Sequence, residues 1–144
     1  MTNKLVVSTI LAAAVGFASL PAMANDISIK QYGWSNAAGG AQTGFHNIIG
    51  VYQDGAYNTS ISEQYGHHNL AATGQEGFNN YADIFQHGYA NQAGIGQFGA
   101  NHNAVMSQDG NGNIAAGVQV GNGCSADVSQ NGGDNVAAFV QSCP

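Results

Sequence analysis

Two cysteines, five histidines and eight carboxylates are the residues of this 144-residue chain that could carry covalent, metal or acid–base chemistry. Their spacing argues against catalysis. Asp26, Asp54, Glu63, Glu76, Asp83, Asp109, Asp127 and Asp134 are scattered, with no recurring close pair of the kind glycoside hydrolysis needs. His46, His67, His68 and His87 gather near equivalent places in the chain, so a weak transition-metal ladder is one reading and solvated histidines the other. Cys124 and Cys143 form an even pair, as a bridge in an exported chain requires. No cofactor motif is present.

A different chemistry dominates, that of the side-chain amide. Gln recurs every eleven residues without insertion: Gln31, Gln42, Gln53, Gln64, Gln75, Gln86, Gln97, Gln108, Gln119, Gln130 and Gln141. Two residues after each of the first ten stands a glycine: Gly33, Gly44, Gly55, Gly66, Gly77, Gly88, Gly99, Gly110, Gly121 and Gly132. Six residues before a Gln stands an asparagine, at Asn25, Asn36, Asn47, Asn58, Asn69, Asn80, Asn91, Asn113 and Asn135, replaced by His102 and Cys124 in two units. Ala dominates two places after the Asn, as in Ala71, Ala93 and Ala115.

An eleven-residue period also suits a right-handed coiled coil, but a glycine in every unit with β-branched residues between opposes continuous helix. The spacing predicts a seven-residue strand from Asn to Gln and a four-residue turn built round Gly. Eleven such units pair into twenty-two-residue arches, stacked as two parallel sheets in a β-solenoid, an all-β, cross-β architecture. Alternation puts Asn, the next-but-one residues and Gln on one inward face. Small and large residues then complement each other across the core, with Ile27 expected against Gly40. Each Gln and Asn returns one rung higher after twenty-two residues, so each amide can donate to the amide above and accept from the one below. Stacked carboxylates there would repel.

The N-terminus reads separately. Lys4, an apolar run through Leu20 and Pro21-Ala22-Met23-Ala24 predict a signal peptide over residues 1–24, which leaves one domain over 25–144 and no transmembrane anchor. That domain keeps one cation, Lys30, against eight carboxylates, a formal charge of −7, which disfavours nucleic acid and anionic membranes as partners. Charged residues make up only 7% of the whole chain, so the surface is polar without being charged, a composition permissive for stacking.

The unit Gln-x-Gly-x2-Asn-x-Ala-x3-Gln, complete in Asn69 to Gln75 and its flanking turns, resembles the repeat of the curlin family, the subunits of curli fibres, over residues 25–141. The resemblance implies a structural, non-enzymatic subunit of an extracellular amyloid fibre in the biofilm matrix. It would polymerise with itself as a major subunit, start from a nucleator subunit and leave the cell through a dedicated outer-membrane pore. Open strand edges at the first and last units would template addition of further copies. Two other readings fit the architecture. One is a surface- or ligand-binding solenoid of adhesin or ice-binding type, although Thr59 stands alone where such a face needs ranks of threonine. The other is a β-helical polysaccharide enzyme. Tyr32, Trp34, Phe45, Tyr57, Phe78, Tyr89 and Phe98 are expected to decorate turns, where they could meet lateral fibrils or matrix partners.

Overall fold

The computed structural model describes residues 24–144, so the expected signal peptide lies outside the described residues except for Ala24. The described residues form eleven strands and no helix: β1 Asp26–Trp34, β2 Ala37–Phe45, β3 Ile48–Ala56, β4 Thr59–His67, β5 Leu70–Phe78, β6 Tyr81–Tyr89, β7 Gln92–Ala100, β8 Asn103–Asn111, β9 Ile114–Asn122, β10 Ser125–Gly133 and β11 Val136–Cys143. Odd strands stack in order as a six-stranded sheet and even strands as a five-stranded sheet, every pair parallel. Register is set by the repeat throughout, each residue pairing with the one twenty-two further on, as Gln53 does with Gln75 and Ala82 with Ala104. This is the stacked-arch β-solenoid that the repeat predicts.

One difference lies in where the strands end. Each runs past its Gln for two or three more residues, so the glycine is inside the paired ladder, Gly55 opposite Gly77, and only two residues remain between strands. The glycines are therefore kinks within strands rather than turn residues. Gly77, at φ 128°, bends the chain towards the opposite sheet without breaking the ladder, and a Cβ there would overlap the carbonyl oxygen of Gly99 on the next rung. The second bend comes two residues later in a left-handed backbone, at Ser35, His46, Tyr57, His68, Asn79, Ala90, Asn101, Gly112, Gly123 and Asp134, with φ between 53° and 71°. Most of these are not glycine, so stacking overrides a local preference.

The core is thin. Ile49, Val51, Ala71, Ala82, Ile84, Ala93, Ile95, Ala104, Met106 and Ala115 form one buried cluster from alternate positions of facing strands. Size complementarity is visible at Gly40, where a Cβ would stand 3.5 Å from Ile27 Cδ1 and 3.4 Å from Ile49 Cδ1. Near the other end the ring of Phe139 occupies the space that a side chain on Gly117 would need. The core is not wholly apolar: the hydroxyls of Ser60, Ser62 and Thr73 are buried without hydrogen-bond partners.

Candidate assembly surface and its amide ladders

The ladders begin with what the backbone leaves unpaired. Glutamine amides stack rung on rung, Nε2 donating to the next Oε1 at 2.7–2.9 Å, from Gln31 through Gln53, Gln75, Gln97 and Gln119 to Gln141. The even sheet carries a second row, Gln42, Gln64, Gln86, Gln108 and Gln130, in the same sense. From Gln42 to Gln141 the second hydrogen of each Nε2 goes across the core. Gln53 donates it to the carbonyl of Ala37 at 2.9 Å, and Gln64 to that of Ile48 at 3.0 Å. One side chain thus ties neighbouring rungs and also ties the two sheets. Nothing in the eleven-residue spacing announced that second bond.

Asparagine does something other than the expected amide-to-amide ladder. At the left-handed corner the main-chain ladder skips one N–H per unit, and the Asn side chain of the preceding rung accepts it: Asn69 N donates to Asn47 Oδ1 and Asn91 N to Asn69 Oδ1, at 3.0–3.1 Å. Its Nδ2 donates to the carbonyl of the kink glycine nineteen residues on, as Asn47 does to Gly66 at 2.9 Å and Asn91 to Gly110 at 2.8 Å. Among the described residues of this row, direct side-chain bonds between stacked asparagines occur at Asn36–Asn58, Asn47–Asn69 and Asn113–Asn135, and a separate exposed run at the corners joins Asn79, Asn101 and Asn122. Asn and Gly are therefore one device, in which the amide satisfies two groups that the corner would otherwise bury unpaired.

The two exceptions follow the same geometry. His102 is buried, its Nδ1 accepting from Cys124 N at 3.2 Å as the Asn oxygen would, while Nε2 donates to the carbonyl of Phe98 at 3.2 Å, four residues back, instead of to the kink glycine. Cys124 takes an Asn position and Cys143 the Gly position nineteen residues later. The two are bonded, with Cα atoms 5.6 Å apart. A disulfide stands where the Asn–Gly hydrogen bond would be.

The remaining candidates lie outside the core. His46 and His68 lie between strands and stack with centroids 4.8 Å apart, whereas His67 and His87 are inside β4 and β6. His67 stacks on Phe45 at 3.8 Å and His87 pairs with Asp109 at 3.0 Å, with both side chains of that pair exposed. Among the described residues no three His, Cys, Asp or Glu side chains converge to hold a metal. The aromatic residues expected in turns lie mostly in the strand extensions beyond Gln. Only Tyr57 occupies a corner, its ring edge-on to Phe78 at 5.4 Å. On the outer face of the even sheet the hydroxyl of Tyr81 donates to Asp83 at 3.4 Å, and burial, then the Asp83 charge, raises its ionisation above the ordinary tyrosine range.

The open edges complete the site. All nine residues of β1 are exposed, including Ile27 and Ile29 on its inward positions, at 44% and 40%. The inward positions of β11 are only half-buried. The side-chain oxygen of Gln42, first in its row, is buried and accepts no hydrogen bond. A row of donors and acceptors with an unfilled first place, beside an exposed edge strand, is the chemistry that strand addition requires.

A parallel solenoid of eleven-residue Gln–Gly–Asn units defines an all-β repeat protein with an exposed first strand. The model of the curlin associated repeat matches residues 23–55 and 77–110, so the chain carries the repeat of the curlin family. No curated protein matches it closely enough to add a function.

Proposed function

We propose that this chain is the structural subunit of an extracellular, curli-type functional amyloid fibre, polymerising by head-to-tail stacking of solenoids. One observation carries the reading. Both glutamine rows run in one sense with bonds of 2.7–2.9 Å and reach the edge strands, where β1 offers a full row of unpaired backbone groups and Gln42 a buried, empty acceptor. A further copy supplies each missing group, and because the two surfaces joined are different and lie at opposite ends of the stack, addition advances along its axis and does not close into a ring. The match to the curlin repeat supports the structural role, with no catalytic step, and with it release from the cell after removal of residues 1–24, an outer-membrane secretion pore, a nucleator subunit and a place in biofilm adhesion.

The test is seeded assembly of residues 25–144. Thioflavin-positive growth after a lag phase is expected, and adding preformed fibres should abolish the lag. Protein that stays monomeric at high concentration, seeded or not, would contradict the proposal and favour a binding solenoid.

A further inference from the structure

We propose that successive copies in the fibre join with a half-turn, β1 and β2 of one copy stacking on β10 and β11 of the next. This rests on the head-to-tail reading above and adds its geometry. Consecutive strands alternate between the two sheets, so the strand continuing the path after β11 lies on β10, in the even sheet. If β1 takes that place, β2 lies on β11 and no ladder position is skipped. If odd strands stacked on odd, β1 would lie on β11 and a nine-residue gap would be left between β10 and β2, stranding the edge of β10. Placing β1 in the even sheet turns the whole copy by about half a revolution. Strands of the two sheets run oppositely, so that turn also restores parallel pairing.

Side chains favour the same join. In the repeat register Gln31 meets Gln130 of the second copy and Gln42 meets Gln141 of the second copy, filling the empty oxygen of Gln42. Gly40 comes beside Phe139 of the second copy, whose ring already covers one glycine, Gly117, within its own chain. The exposed Ile27 and Ile29 meet Ala126 and Val128. Lys30, the only cation after residue 24, comes beside Ser129 with Asp127 diagonal to it on the same outer face. Odd-on-odd stacking would set Lys30 against Val140 and Ala138 instead. A consequence is that each side of the fibre alternates between the odd sheet's outer face, with Asp54 and Glu76 beyond the Gln row, and the even face with Glu63, Asp83 and Asp127.

Helical reconstruction of fibres of residues 25–144 by cryo-electron microscopy reads the join directly. The half-turn predicts a rise of about 26 Å per copy, five and a half rungs, and a rotation of about 180° plus accumulated sheet twist. Odd-on-odd stacking predicts about 29 Å and no half-turn. Deleting residues 81–91 leaves ten strands, and the rotation per copy should then change by half a revolution. Independently, Lys30→Glu should slow elongation about fivefold, and Asp127→Lys in the same chain should restore most of it. Fibres with like-on-like sheets, or no rescue by the charge swap, overturn the half-turn alone. Absence of fibres overturns head-to-tail assembly and the half-turn with it.

Discussion

At the scale of single residues, the fold depends on groups that have nowhere else to bond. Gly77 is required by position, because its φ of 128° and the neighbouring carbonyl of Gly99 leave no room for a Cβ. Gly77→Ala should lower solenoid stability by about 2–4 kcal/mol, read from the denaturant midpoint by circular dichroism. Ala90 is the reverse case: at φ 57° it bears the cost of a left-handed backbone, and Ala90→Gly should stabilise by about 1 kcal/mol in the same assay. The buried hydroxyl of Ser60 has no partner, so Ser60→Ala should also stabilise, by about 1–2 kcal/mol. Sequence reading located the glycines but not the strain two residues later, since Tyr57, His46 and Ala90 carry no local sign of positive φ. It gave the row of Gln, whose period is visible, and missed the Asn-to-backbone bond, because only the bent corner reveals which N–H lacks an acceptor.

At the scale of the element, the unit is a kinked nine-residue strand rather than a straight seven-residue strand with a loop. The apparent turn was read from glycine content, and glycine there serves a bend that keeps its ladder. Burial alternation was legible because it depends only on the two-residue period, as in Ile49, Val51 and Gln53. The last strands are held by Cys124–Cys143, which replaces the Asn–Gly bond with a covalent one. Reduction should raise hydrogen exchange across Val136–Cys143 and cost about 3 kcal/mol of local stability. The double variant C124N/C143G should recover part of that protection without a disulfide. If reduction leaves exchange unchanged, the bond is not what holds β11.

At the scale of the whole molecule, the backbone and amide bonds that stabilise one rung on the next would, under the proposed head-to-tail stacking, form between molecules as well. Folding and the proposed assembly would then be the same reaction carried across a chain boundary, and low charge leaves little repulsion to oppose it. This explains why the amide rows matter more than any surface cluster of histidines or aromatics. Fibre X-ray diffraction tests that claim most directly. Aligned fibres of residues 25–144 should give a meridional reflection near 4.8 Å and an equatorial one near 10 Å. Fibres lacking the 4.8 Å meridional reflection, or protein that forms no fibres, would contradict it.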